Sequence, residues 1–192
     1  RLAAKWPDLA NAHATTWPDD DRFFYRKLKL YALGKKEVFE ADYAAEQILS
    51  LEQETFWDKD VARELLFLLV DRWQEFSVQF QERLVDRIIT GPDQPSHWSD
   101  EEYFSLRDEL AARYARYLEL RGCALTAGRR SQIANMICGI PRWSDSWATS
   151  TVSNRGTYSG RVRMDENPDV LLNLPPREIV PRAKEDLKRD FG

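Results

Sequence analysis

Apolar residues recur at helical spacing along most of the chain before residue 140. Phe24, Leu28 and Tyr31 follow one another at i, i+4 and i+7, which predicts an amphipathic helix with these three side chains turned inward. Ser99, followed three positions later by Glu102, has the spacing of a capping box at the start of a long helix. The predicted helices cover 17–33, 40–51, 62–73, 78–90, 101–122 and 129–140.

The segment 62–73 is the most apolar, with an unbroken run of six apolar residues from Leu65 to Val70. A helix that is apolar nearly all round is buried on nearly all sides. The side chains expected to be buried here are Leu65, Leu66, Phe67, Leu69 and Val70.

The spacing of the helices predicts their arrangement. The helix centres are about 20 residues apart, so that a pair of helices takes about 40, the period of HEAT-like repeats. We therefore expect an all-α fold of stacked helix hairpins, with a HEAT-like solenoid and an irregular helical bundle as the two alternatives.

The pattern changes after Pro141. Residues 144–163 are rich in Ser, Thr, Asn and Gly and have no helical period, which predicts a long irregular loop or a small β excursion, with TYSGRVRM as the candidate strand. We expect three parts: a helical array over 1–140, a basic and aromatic loop with an apolar anchor over 141–174, and a terminal helix over 175–192. Because the chain starts without methionine and stops just after an amphipathic segment, we interpret it as a piece of a longer polypeptide.

Composition narrows the class of protein. The chain has 192 residues and a net charge of −4, so no overall positive charge draws it to nucleic acid or anionic lipid. No apolar run reaches the ~18 residues that a membrane-spanning helix needs, and no signal peptide is present. Cys123 and Cys138 have neither metal-type nor redox-type spacing, so reduced thiols and a cytoplasmic location are expected.

Searches for catalytic patterns give no candidate. The two histidines, His13 and His97, are far apart in the sequence and have no spacing typical of zinc. The nucleophile elbow, the P-loop and the dinucleotide fingerprint are all absent. Runs of acids such as Asp100–Glu102 occur at helix starts, where the helix dipole accounts for them. We therefore predict no catalytic residue, cofactor or metal site in this chain.

One region departs from the acidic average. Between residues 129 and 164 the chain has six arginines and a single acid, Asp145, with tryptophan and tyrosine interleaved. Arginine beside exposed aromatic rings is typical of interface hot spots and of surfaces that bind phosphates and stacked bases. The candidate partner-binding residues are Arg129, Arg130, Arg142, Trp143, Trp147, Arg155, Tyr158, Arg161 and Arg163.

Three interpretations of this region remain open. In the commonest arrangement the tryptophans belong to the core and the arginines pair with acids of neighbouring helices, among them Glu101, Glu102, Asp108 and Glu109. In the second, the region binds another protein or a second copy of the chain. In the third, it binds nucleic acid.

Several runs resemble a helical region of very large bacterial proteins that carry sirtuin-like or NTPase modules and are associated with anti-phage defence. The similarity covers most of residues 20–190 and is carried by FFYRKLKLYAL, FWDKDVARELLFLLVDRWQEFSVQFQERLVDRIITGP, YLELRGCALT and SGRVRMDENPDVLLNLPPREIVPRA. Because no sirtuin signature occurs here, the resemblance implies an enzymatic neighbour in the longer chain. We expect a non-catalytic scaffold or sensor segment that mediates protein–protein or self-association, with nucleic-acid binding as the alternative.

Overall fold

The computed structural model describes residues 2–18, 24–94 and 98–153. These ranges contain helices joined by turns and no strand, which confirms the all-α prediction. A 3-10 turn, Trp73–Glu75, directly follows the sixth helix. The helices are α1 (Leu2–Lys5), α2 (Pro7–Thr15), α3 (Phe24–Leu33), α4 (Ala41–Ser50), α5 (Gln53–Phe56), α6 (Ala62–Arg72), α7 (Val78–Thr90), α8 (Asp100–Leu120), α9 (Ala127–Cys138) and α10 (Asp145–Ser150).

Serine caps start α7 and α8, and the cap of α8 at Ser99 is the one that the capping-box spacing in the sequence predicts. The Ser99 hydroxyl accepts a hydrogen bond from the backbone N–H of Glu102 at 3.4 Å, and the Glu102 carboxylate accepts from the Ser99 N–H at 3.2 Å. This reciprocal pair is the capping box of α8. The hydrogen bonds from Ser99 lower the pKa of Glu102. At α7 the Ser77 hydroxyl accepts from the N–H of Phe80.

The inward face of α3 differs from the prediction. Phe24 and Tyr31 are 59% and 61% exposed, whereas Leu30 and Leu33 are buried. Helix α3 packs against α6, and this contact selects the face that carries Leu30 and Leu33. The Lys35 ammonium lies 4.3 Å from the centre of the exposed Tyr31 ring. A cation over a ring face stabilises an aromatic side chain at the surface.

Helix α6 is buried on most of its surface but not all round. Leu65, Leu66 and Leu69 have no exposed surface, while Phe67 is 38% exposed and Val70 is half-buried. The prediction that Phe67 is buried is therefore wrong. Helix α6 packs against α3 and α8, which leaves one strip of its surface facing outward.

The central helix of the bundle is α8, which packs against α6, α7, α9 and α10. Its C-terminal half has Ala111, Ala112 and Ala115 at buried positions. Tyr114 and Leu118 are also buried there. Short side chains let neighbouring backbones come close, and the larger ones fill the remaining space of a close-packed core. The described helices thus form an all-α bundle, and the regular HEAT-like repeat is not confirmed.

Arg72 closes the C-terminal end of α3. Its side chain is almost fully buried and donates hydrogen bonds to the carbonyl oxygens of Leu33, at 2.9 Å, and Phe39, at 2.7 Å. The same guanidinium forms an ion pair with Glu75 at 2.7 Å. The last carbonyls of a helix have no hydrogen-bond donor within the helix. Here Arg72 of α6 is the donor for the end of α3.

Arg87 does the same for α4. Its guanidinium donates to the carbonyl oxygens of Ile48, at 3.1 Å, Leu49, at 2.7 Å, and Leu51. Its charged centre lies 4.2 Å from the centre of the Phe56 ring. Burial lowers the pKa of Arg87 from its usual value. Helices α4 and α7 are packed together at this contact.

The first part of the predicted irregular loop is helical. Within 144–163, residues Asp145–Ser150 form α10, which packs against α8 and buries Ala148. The Ser144 hydroxyl accepts from the N–H of Ser146 at 3.3 Å and so caps this short helix. The prediction of a loop is wrong for this part, because packing on α8 outweighs the weak local helical pattern. The rest of the loop, the apolar anchor and the terminal helix lie outside the described residues.

We expect Arg72→Met to lower the free energy of unfolding by about 3 kcal/mol, because it leaves two buried carbonyls and the Glu75 carboxylate without their donor. Urea unfolding followed by circular dichroism measures this loss. Lys59 is exposed, and Lys59→Met is the matched control. The control should change the stability by less than about 0.5 kcal/mol. A loss for Arg72→Met no larger than that of the control would contradict this account of the α3 terminus.

Candidate functional site

Five of the nine candidate residues lie in the described part of the chain. Arg129 and Arg130 are on the first turn of α9, Arg142 and Trp143 follow that helix, and Trp147 is on α10. Four candidates lie outside the described residues, namely Arg155, Tyr158, Arg161 and Arg163. The structure therefore bears on the first half of the predicted region.

Arg129 is engaged within the bundle. Its guanidinium pairs with Glu82 at 2.9 Å and with Asp86 at 2.5 Å, both on α7. The hydrogen bond with Glu82 is the main cause that raises the pKa of Arg129. This pairing is of the kind that the first interpretation expects, although the acids are on α7 rather than among those named from the sequence. Arg129 thus joins α9 to α7 and presents little uncompensated charge.

Arg130 and Arg142 are both exposed, but Arg130 is in the first turn of α9 and Arg142 lies four residues beyond the last residue of that helix, Cys138. Because a helix rises about 1.5 Å per residue, the helical stretch from Arg130 to Cys138 alone is roughly 12 Å long. Arg142 has a positive φ, in the left-handed region that few residues other than glycine enter. The structure therefore splits the predicted basic cluster into separate charges.

The tryptophans, in contrast, are brought together. The rings of Trp143 and Trp147 lie edge to face, with their centres 5.9 Å apart and their planes at 62°. Both side chains are half-buried, and Trp143 packs against the core cluster. Edge-to-face contact is a favourable arrangement for two aromatic rings. We call Arg142, Trp143 and Trp147 together the Trp143–Trp147 surface.

Helix α8 holds this surface through two arginines that the sequence did not single out. Arg116 forms a two-pronged ion pair with Asp145, from Nε to Oδ1 at 3.0 Å and from Nη2 to Oδ2 at 2.8 Å. The indole N–H of Trp143 donates to the same Oδ1 at 3.2 Å. The Arg113 guanidinium lies 5.4 Å from the centre of the Trp147 ring. Charged groups on α8 therefore hold both indole rings, one directly and the other through Asp145.

The two arginines are themselves aligned by acids on α8. Arg113 pairs with Glu109, and Arg116 pairs with Glu119 at 3.1 Å. These pairs at i, i+4 and i, i+3 could have been found in the sequence. The pairing of Arg116 with Asp145 spans 29 residues and has no local signal.

The ion pair shifts both of its members toward their charged forms. The hydrogen bond from Arg116, with a smaller contribution from the Trp143 N–H, lowers the pKa of Asp145 from its usual value of 3.8. The hydrogen bond to Asp145 raises the pKa of Arg116. The Asp145 side chain is 47% exposed. Solvent therefore screens part of this attraction.

We expect Asp145→Asn to lower the free energy of unfolding by about 1 kcal/mol near neutral pH, the upper end for an exposed pair. A carboxyl with a lowered pKa in the folded state contributes stability above its unfolded pKa, and this contribution is lost as the pH falls through its folded pKa. The difference from the unmodified chain should therefore shrink below pH 3.8 and disappear at lower pH.

Urea unfolding from about pH 7 to about pH 2 measures this difference. Asp60→Asn removes one negative charge at an exposed turn and serves as the control. A difference for Asp145→Asn that stays constant over the whole pH range would show that the pair with Arg116 does not account for it.

Other reactive groups offer little chemistry in the described part of the chain. Burial raises the pKa of the Cys123 thiol to about 11, which keeps it protonated, and Cys138 is a free, exposed cysteine. His13 accepts a hydrogen bond from the indole N–H of Trp17 at 3.2 Å. Over residues 2–18, 24–94 and 98–153, no three His, Cys, Asp or Glu side chains are grouped as metal ligands.

The described helices include none that is long and apolar enough to cross a lipid bilayer. Comparisons with protein-family models, with curated proteins and with solved structures found no match to this chain. The function is therefore inferred from the chain's own residues, and the Trp143–Trp147 surface is the candidate site that they support.

Proposed function

We propose that this chain is a non-catalytic helical segment that binds a partner protein or a second copy of itself through the Trp143–Trp147 surface. The observation that carries the proposal is the fixed arrangement of two half-buried indole rings beside an exposed arginine. Tryptophan and arginine are among the residue types most enriched at interface hot spots.

Rigidity supports this role. The Trp143 ring is held by its hydrogen bond to Asp145, and Asp145 is held by two hydrogen bonds from Arg116. A surface whose side chains are already ordered loses less conformational entropy when a partner binds. The free protein thus presents the rings in the geometry that a partner would meet.

Nucleic-acid binding receives less support from the described residues. Such binding relies on several uncompensated cations along one face. Arg129 is neutralised by two acids of α7, and Arg130 in the first turn of α9 is separated from Arg142 by the rest of that helix and the turn after it. We therefore retain nucleic acid as an outcome to be measured and not as the proposed partner.

The resemblance to helical regions of large bacterial defence proteins gives the proposal a setting. In that setting the chain would act as a cytoplasmic scaffold or sensor segment beside an effector domain of the same polypeptide. Cys123 and Cys138 are both free, which agrees with a reducing compartment.

A photo-crosslinking amino acid placed at position 142 or at position 130 tests the proposal. Both positions are exposed, yet only position 142 adjoins the indole pair. We expect protein adducts from position 142, either with a second copy in the purified chain or with a partner in the native host. Position 130 is the matched control and should give few or none.

Sedimentation over a range of concentrations should agree with the cross-links if the partner is a second copy, and Arg142→Glu should weaken association while Arg130→Glu does not. Nucleic-acid adducts at position 142, with binding that falls steeply as salt rises, would replace the proposal with the alternative. Equal yields at both positions, or none at either, would overturn it.

A further inference from the structure

A cavity of about 760 Å³ opens among the N-terminal helices, far in sequence from the Trp143–Trp147 surface. Its walls come from the end of α2, from α3, from α4 and from the start of α5. Cavities of ~300–1,000 Å³ with apolar walls and a few polar groups are the usual size and character of small-molecule sites. The residues that line this cavity include an apolar and aromatic group, a polar group on α4 and charged side chains.

The end of the cavity nearest the turn between α3 and α4 is apolar and aromatic. Leu30, Leu33 and Phe39 line it and are themselves almost fully buried in the core. Tyr43 stacks on Phe39, with ring centres 5.3 Å apart and planes at 12°. Tyr43 is 40% exposed, so a flat ligand can lie against the ring face that Phe39 does not cover.

Helix α4 adds a polar stripe to this wall. Tyr43, Gln47 and Ser50 all line the cavity. They follow one another at i, i+4 and i+7 and therefore share one face of the helix. The stripe is about 10 Å long, since each residue adds about 1.5 Å.

The Gln47 amide is half-buried and has no hydrogen-bond partner among the described residues. An amide carries two donors and an acceptor. It can therefore both donate to and accept from the edge of a ligand that lies along the stripe.

Helix α3 also contributes two cations to the cavity wall. Arg26 and Lys29 are one turn apart on α3, and both line the cavity. Arg26 lies seven residues before Leu33, about 10 Å along the helix. It is half-buried and has no ion pair or hydrogen bond among the described residues. Among the described residues that line the cavity, the acid is Glu52, which follows α4.

We propose that this cavity binds a nucleoside monophosphate. The base lies on Tyr43, and its edge exchanges hydrogen bonds with the Gln47 amide. The phosphate is bound by Arg26, because hydrogen bonds from charged donors to phosphate are the strong ones. Glu52 accepts a hydrogen bond from a ribose hydroxyl. The length of the polar stripe matches a mononucleotide, and the Arg26 guanidinium and the Gln47 amide both acquire partners.

Calorimetric titration of the full chain with AMP, adenosine and inorganic phosphate tests the proposal. We expect saturable binding of AMP with a Kd below about 1 mM. Adenosine, which lacks the phosphate, and phosphate, which lacks the ring, should each bind at least about tenfold more weakly.

Arg26→Glu should weaken AMP binding by at least about tenfold, because it replaces a phosphate donor with a repelling charge. Tyr43→Leu should weaken AMP and adenosine alike, since both lose the ring on which the base stacks. Lys59→Glu makes the same change of charge as Arg26→Glu at an exposed site outside the cavity and should leave AMP binding unchanged.

Thermal unfolding of each variant identifies loss of fold, and Arg26 takes no part in the Phe39–Tyr43 stack. Absence of saturable AMP binding would overturn the proposal, as would adenosine that binds as tightly as AMP or an Arg26→Glu variant that retains full affinity. None of these results depends on the Trp143–Trp147 surface, which lies on α10 and on the turn before it.

Discussion

The carbonyl groups at helix ends are the constraint on which this bundle depends. Helices α3 and α4 are ten residues long, and their last carbonyls find no partner within the helix. Arg72 and Arg87, each from the helix that packs alongside, donate to those carbonyls. A guanidinium has five donors in a fixed plane, so it can bind two or three carbonyls at once. These hydrogen bonds favour the packing of α3 with α6 and of α4 with α7. They also fix how far along its partner each of these helices lies.

The candidate interface depends on a second element, α8. One side of α8 is buried among four other helices, and its outer edge carries Arg113 and Arg116. Those arginines determine where α10 lies and how the indole rings are turned. The surface proposed to bind a partner is thus an extension of the core, and a change in the packing of α8 would be transmitted directly to it.

Local signals in the sequence predict six of the described helices but not α1, α2, α5 and α10, and they do not predict which face of a helix is buried. Ser99 with Glu102 marks the start of α8, because a capping box is formed within four residues. The inward face of α3 could not be read from spacing alone, since Phe24 and Tyr31 share a helical stripe and yet face outward. Packing against α6 decides that face, and packing is a property of residues that are distant in sequence. In the candidate site, Trp143 and Trp147 come together only because α10 is helical where the sequence predicts a loop.

The backbone of Arg142 has a consequence for the choice of residue at that position. Its φ is positive. Glycine adopts this conformation without strain, whereas a residue with a side chain is destabilised by about 1 kcal/mol. Folding by itself would thus favour glycine here. The chain instead has a long cationic side chain immediately before Trp143, and the turn is correspondingly less stable.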